Sequence, residues 1–206
     1  MDSIQGYKNR ALASLAGKWV NGAVATLISL LIAGLVAPTV SPAMGEIGSS
    51  VFSGIWQLIT LPLLWGEAVY FLLLIRLEDI RYERLFDGYK DFVRIFLAKF
   101  LIGICVFVGI ILFIVPGVII ALMLSMTDYI LKDNPEISCT DAMKQSAAMM
   151  KGHKAQLFWL ELSFIGWAIL CLLTLGIGFL FLVPYFDSAV AHFYEDLKAE
   201  SALENE

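Results

Sequence analysis

The sequence predicts an all-α membrane protein: six short transmembrane helices forming three pseudo-repeated antiparallel hairpins, with amphipathic helices along the cytoplasmic interface. Three observations lead there. Of 206 residues, 59% are hydrophobic and only 16% charged, with a mean hydropathy of +0.80, which excludes an ordinary soluble fold. All fourteen Lys and Arg residues fall in alternate connections between apolar runs, so they can all lie on one side of a bilayer. One plan also recurs three times along the chain.

Each element has its own justification. In residues 2–19, Ile4, Tyr7, Ala11, Leu12, Leu15 and Trp19 recur at three- and four-residue steps, an amphipathic helix with Asp2 or Ser3 placed to cap it. Residues 19–37 and 51–75 are each long enough to cross about 30 Å of hydrocarbon. Between them the only charge is Glu46. Leu85, Phe86, Tyr89, Phe92, Val93 and Phe96 form one stripe opposite Asp87, Lys90, Asp91 and Arg94, a second interfacial helix. Residues 100–131 and 157–191 are each about twice too long for one crossing. Breaks at Pro116-Gly117 and Gly176-Ile177-Gly178 divide each into a tight hairpin. Residues 138–152, opening at Ser138 or Thr140, form a third amphipathic stretch.

This organisation gives one integral membrane domain over residues 1–197, with hairpins at about 19–75, 98–131 and 157–193 and an acidic cytoplasmic tail at 198–206. Lys8, Arg10 and Lys18 precede the first crossing. Arg76, Arg81, Arg84, Lys90, Arg94 and Lys99 follow the second, Lys132, Lys144, Lys151 and Lys154 the fourth, and Lys198 the last. Both termini are therefore expected in the cytoplasm. A competing reading takes the basic start, the first apolar run and Ser41-Pro42-Ala43 as a cleaved signal peptide. The long charged region and the repeat, which needs this helix, count against it.

The repeated unit is an amphipathic entry, a Gly with a Lys close behind, an outward crossing and a return. The markers are Gly17-Lys18-Trp19, Gly88-Tyr89-Lys90 and Gly152-His153-Lys154, which serve as interface anchors. Each returning helix carries an acid, Glu67, Asp128 and Asp187, at separations of 61 and 59 residues. Pro62 and Pro184 precede the first and third. Units that start and end inside are related by an axis along the membrane normal.

Ile114-Val115-Pro116-Gly117-Val118-Ile119, Ser125-Met126-Thr127-Asp128-Tyr129-Ile130-Leu131 and Asp141-Ala142-Met143-Lys144-Gln145-Ser146 carry a resemblance to a known family. So do Met150-Lys151-Gly152-His153-Lys154, Phe164-Ile165-Gly166-Trp167, Pro184-Tyr185 and Phe193-Tyr194-Glu195-Asp196-Leu197. Together they resemble the bacterial integral-membrane family called domain of unknown function 975. The resemblance implies a multi-pass protein of the bacterial plasma membrane and brings no catalytic residues with it.

Candidate chemistry is sparse. Glu67, Asp128, Asp187 and Glu161 lie within apolar runs, where a charge costs roughly 2.5–3.5 kcal/mol and such residues face a bundle interior or cavity. Pro62 and Pro184 each remove a helical hydrogen bond about a turn before an acid. These acids suit either a proton- or cation-coupled pathway or interhelical contacts that fix packing. Nineteen acids less Glu46 and these four leave fourteen, which balance the fourteen bases. A face that is near neutral does not favour nucleic acid, so no nucleic-acid partner is expected. Cys105, Cys139 and Cys171 with His153 and His192 give no metal spacing, and no cofactor is expected. Phosphate loops, zinc-protease helices and nucleophile elbows are missing from the sequence, and Cys139, Asp141 and His153 form only a weak triad. Trp19, Trp56, Trp159 and Tyr194 fall near predicted span ends, as interfacial belts do.

The expectation is a non-enzymatic membrane protein, in contact with lipid, that organises a protein partner or lipid at its cytoplasmic face. The alternative is a small transporter or channel using the buried acids.

Overall fold

Ser3 opens the first helix by accepting a hydrogen bond from the Gly6 backbone at 3.0 Å, so the cap is Ser3 rather than Asp2. The computed structural model describes residues 1–35, 45–78 and 80–203, and every regular element in them is helical. The Ser41-Pro42-Ala43 motif lies outside the described residues. Helix α1 (Ile4–Leu15) buries Tyr7, Ala11 and Leu15, one stripe at four-residue steps. Gly17, at φ +75°, ends it in the left-handed region that glycine adopts without a Cβ clash, and the chain turns 97° into α2 (Trp19–Leu30). A nearly perpendicular entry helix is what the amphipathic pattern predicts.

A wider π-helical turn, Leu31–Leu35, extends α2. Its buried face is Gly22, Ala25, Thr26 and Ser29, small side chains that let helices approach closely. A Cβ on Gly22 would lie 3.0 Å from the Cβ of Pro184. α2 runs antiparallel to α3 (Gly45–Ile75), fixed by the Trp56 indole donating to the Ile32 carbonyl at 3.1 Å. With 31 residues α3 is about 46 Å long, more than a bilayer core requires. Its outer half exposes Ile47, Val51, Ile55 and Leu58, whereas its inner half buries Leu63 and everything from Val69 to Leu74.

The stripe predicted as one helix over residues 85–96 is divided. A 3-10 helix, Tyr82–Tyr89, folds back along α3, and α4 (Phe92–Leu112) starts afresh after Asp91. Tertiary packing overrides the local pattern here. A Cβ on Gly66 would overlap the Leu85 carbonyl oxygen, and one on Gly88 would overlap that of Pro62. The Tyr89 hydroxyl donates to Ile59 at 3.0 Å. The aromatic stripe survives the division as a stacked ladder, Tyr89–Phe92–Phe96–Phe100, with ring centroids 5.6–6.3 Å apart.

The turn expected at Pro116-Gly117 sits earlier. Phe113, in extended conformation, is the one-residue link between α4 and α5 (Ile114–Leu124). Pro116 lies in the first turn of α5, where a missing N–H costs little, and Gly117 packs α5 onto α4 at Gly109 and Ile110. The second hairpin turn falls where predicted: α9 (Ile165–Leu173) and α10 (Phe179–Leu203) are joined through Gly176, at φ +85°. Pro62 and Pro184 lie inside the unbroken helices α3 and α10.

Between the hairpins run α6 (Thr127–Asp133), α7 (Cys139–Met149) and α8 (Lys154–Leu162). Ser138 caps α7 by accepting from the Asp141 N–H at 3.1 Å. Gly152, at φ +93°, makes the junction into α8 as Gly17 does into α2. Gly88 instead serves packing, so two of the three markers share a role.

Among the described residues, four stretches are long and apolar enough to cross a membrane: Gly45–Ile75, Phe92–Leu112, Ile114–Asp133 and Lys154–Leu173. α1 and α2 pass only as a bent pair. The inner half of α10, with Glu195, Asp196, Lys198 and Glu200, is too charged. One core joins Tyr7 and Ala11 of α1, Val69 and Leu72 of α3, Tyr129 and Ile130 of α6, and Phe193 and Tyr194 of α10. α10 is its spine.

Candidate functional site

Two polar assemblies stand out, an ion-paired hub at one end of the bundle and a buried oxygen cluster between α2, α3 and α10.

The hub forms where α3 ends, α6 ends and α10 passes between them. Arg76 grips Asp133 with two parallel bonds of 2.7 and 2.8 Å and reaches Glu195 at 2.7 Å. Asp133 also accepts from the Tyr194 hydroxyl at 2.9 Å and from Lys198 at 2.5 Å. Four donated hydrogen bonds saturate one carboxylate, the strong charge-assisted arrangement. The bonds to Asp133, outweighing burial, and then those to Glu195 push the Arg76 guanidinium above its already high range, so it stays charged. Arg10 ties α1 to the same face through Asp196 at 2.8 Å. His192 meets Ser14 at 2.8 Å, and His153 lies 3.6 Å from Glu200. Tyr194, expected in an interfacial belt, is instead buried in the hub, stacked on Tyr129 at 5.0 Å.

The second assembly contains the predicted acids. Glu67 is 8% exposed, and its Oε1 has no hydrogen-bond partner. Thr26 and Ser29 of α2 face its carboxyl, yet their buried hydroxyls are also without a partner of good geometry. Asp187 lies within electrostatic reach of Glu67 and of Lys99. Asp128 pairs with Lys99 at 2.5 Å, while its backbone carbonyl accepts from the Trp65 indole at 3.0 Å. Tyr129 is within reach of both Asp128 and Asp187. Asp128 and Asp187 therefore meet at Lys99, while Glu67 neighbours Asp187 and the two α2 hydroxyls instead. Glu161 lies in a different cleft, of about 260 Å³, with Phe164, Phe179 and Phe186.

Lys99 was not legible as a partner, because it sits at the opposite end of the second hairpin, 29 residues before Asp128. Glu67 precedes Arg76 by about 13 Å of helix. However, the 3-10 helix carrying Arg84 and Asp87 packs beside Pro62 and Gly66, and Lys90 just beyond it is 75% exposed. The polar layer thus extends along α3 to the level of Pro62.

The remaining candidates are engaged separately. Cys139 donates to the Arg94 carbonyl at 3.1 Å, Asp141 pairs with Lys144 at 3.0 Å, and His153 faces Glu200. No group of three or more His, Cys, Asp or Glu among the described residues is arranged to hold a metal. An apolar cleft of about 440 Å³ opens between Trp19, Trp167, Phe181 and Tyr185.

Fold and charge distribution define the class: a wholly helical protein, among the described residues, with apolar helices fit for a membrane. The chain belongs to the family described as protein of unknown function, DUF975, which it matches over residues 1–121 and again over 105–201. No curated protein and no solved structure matches it.

Proposed function

We propose that this is a multi-pass protein of the bacterial plasma membrane, with six short crossings and both termini inside. It acts without catalysis, gathering a protein partner or lipid headgroups at its cytoplasmic face. The observation that carries this reading is the hub. Ion pairs and bonds linking α1, α3, α6 and α10 are concentrated at the end of the bundle where the cationic connections lie. The opposite end offers Glu46 and short apolar turns. A face braced this way holds its outward side chains in fixed relation, and Lys90 and Lys144 remain 75% and 78% exposed. Such cations suit acidic protein segments or anionic headgroups.

The test is photo-crosslinking in native membranes from probes at Lys90, Lys144 and, as the outer control, Glu46. The reading expects a discrete protein or phospholipid adduct at the two lysine positions that is missing at Glu46. Equal, diffuse labelling at all three positions would sink it. Single cysteines at Glu46 and Lys198, in a chain with Cys105, Cys139 and Cys171 replaced by Ala, test the topology. An impermeant maleimide should reach only the former from outside the cell.

A further inference from the structure

We infer that Glu67, Thr26 and Ser29 bind one monovalent cation of the sodium class between α2, α3 and α10, with Asp187 adding its charge nearby. The inference concerns the inner cluster and stands independently of the cytoplasmic reading. Its first support is the state of the oxygens. Glu67, Thr26 and Ser29 are 8%, 1% and 3% exposed, and each has a buried oxygen without a hydrogen-bond partner. Thr26 and Ser29 face the Glu67 carboxyl without well-formed bonds to it, and unpaired buried oxygens are costly, so the three call for a common partner between them. An oxygen-only set of carboxylates and hydroxyls suits a hard cation and not a soft one.

The charge pattern gives the second support. Lys99 of α4 pairs with Asp128 of α6 and reaches Asp187 of α10. No Lys or Arg is among the groups acting on Glu67, whose neighbours there are the two hydroxyls and Asp187. Tyr129, the other titratable group facing the cluster, brings no positive charge. Lys99 balances one of the three carboxylates, so Glu67 and Asp187 between them lack two positive charges, which one shared proton and one monovalent ion supply. A divalent ion needs a denser cage of oxygens, six to eight for calcium.

Packing gives the site its shape. Gly22 lets α2 close against Pro184 and Phe71, which brings the Thr26 and Ser29 turn of α2 onto Glu67. The hydroxyls are held on a helix face, where position is set by the fold rather than by loop conformation.

The experiment is thermal unfolding of the full-length protein in nanodiscs at neutral pH. It is run in sodium, lithium, potassium or choline chloride at equal ionic strength. A bound ion stabilises the folded state by mass action, so Tm should rise with the logarithm of sodium concentration above Kd and much less with potassium or choline, half-saturation being read from direct binding. Glu67→Gln should abolish the sodium-specific rise. Thr26→Val, which removes one ligand but keeps the volume, should raise the half-saturating sodium concentration about tenfold. Direct binding of radioactive sodium to the same samples provides a readout that does not depend on unfolding. Identical Tm values in the four salts with no sodium retained would overturn the inference. So would a Tm that follows pH alone, since the cluster would then hold only a proton. If Glu67→Gln does not fold, Thr26→Val and Ser29→Ala decide, and an unchanged half-saturation in both refutes the site.

Discussion

The inner half of α3 and the α4–α5 hairpin are both strongly apolar, yet they have opposite surroundings. The most apolar window of α3 has a hydropathy of 2.0 and is 67% buried in protein, whereas that of α4 reaches 2.8 and is only 17% buried. Hydropathy alone would rank them the other way. In water the exposed hairpin would be an aggregation hazard, but against lipid its side chains are already in an apolar solvent. α4 and α5 need only each other, through Gly109 and Gly117, and the bilayer. The inner half of α3 needs the protein: α2, α10, the 3-10 helix and the hub close around it. Damage to the first region should be borne by the lipid, and damage to the second should not.

The sharpest way to break this contrast is Arg76→Ala. Arg76 and Asp133 are 20% and 10% exposed, and removing the guanidinium takes two of the four donors from Asp133 and the bond from Glu195 at once. A loss of about 3–5 kcal/mol is expected, read as a large drop in the unfolding midpoint. A loss below about 1 kcal/mol, the range of surface pairs, would show the hub to be solvent-screened and the contrast overstated. Second in size, Gly66→Ala drives a methyl into the Leu85 carbonyl and should cost about 1–3 kcal/mol. Gly54→Ala, on the outer half of the same helix with nothing within 4 Å, should be neutral or slightly stabilising. Equal effects at Gly66 and Gly54 would mean that the 3-10 helix does not dock as described.

How much of this was readable depended on the distance over which each feature is decided. The Ser138 cap and the Gly17 and Gly152 junctions are local, and residue type determines them. The one-sided distribution of Lys and Arg was equally plain. The pairing of Lys99 with Asp128, the seat of Gly88 on Pro62 and the four donors on Asp133 join segments far apart in the chain. A periodic pattern carries no information about such contacts. Pro116 misled for a related reason: as a turn residue it marks a break, but the first turn of a helix tolerates it equally well. The spacing of Glu67, Asp128 and Asp187 marked them as recurring acids without saying which would meet, and the hydroxyls that make Glu67 interesting, Thr26 and Ser29, looked like ordinary small residues of an apolar run.

A milder probe acts where the inner half of α3 hands over to its connection. Leu77, at φ +58°, occupies a left-handed position that costs a non-glycine residue roughly 1–2 kcal/mol. Its side chain is 76% exposed, so little packing is lost on truncation. Leu77→Gly should therefore stabilise the protein by up to about 1 kcal/mol, offset in part by a more flexible unfolded chain. A destabilising result would reveal that the Leu77 side chain is covered in the membrane or by a partner.

The smallest effect concerns how the 3-10 helix is held at the level of Pro62. Asp87 is largely buried, which works against its charge, but the bonds from Lys90 at 2.7 Å and Arg84 at 3.1 Å hold its carboxyl below the usual range. A carboxyl with a depressed folded-state pKa stabilises the fold above its unfolded value of 3.8, and the contribution disappears as pH falls through the lower folded value. Docking should therefore be unchanged from neutral pH down to about 4. Below that it should weaken by only about 0.5 kcal/mol, because Lys90 is mostly in solvent and salt screens the pair. Trp65, whose ring would lie 3.0 Å from a Cβ on Gly88, reports on this contact. In a variant retaining Trp65 alone, its fluorescence should shift only in that acid window, and Asp87→Asn should remove the shift while leaving the α4–α5 hairpin undisturbed. A shift that begins near neutrality would assign the docking to another group and separate the 3-10 helix from the inner half of α3, which it reaches because Gly66 and Gly88 leave room for it.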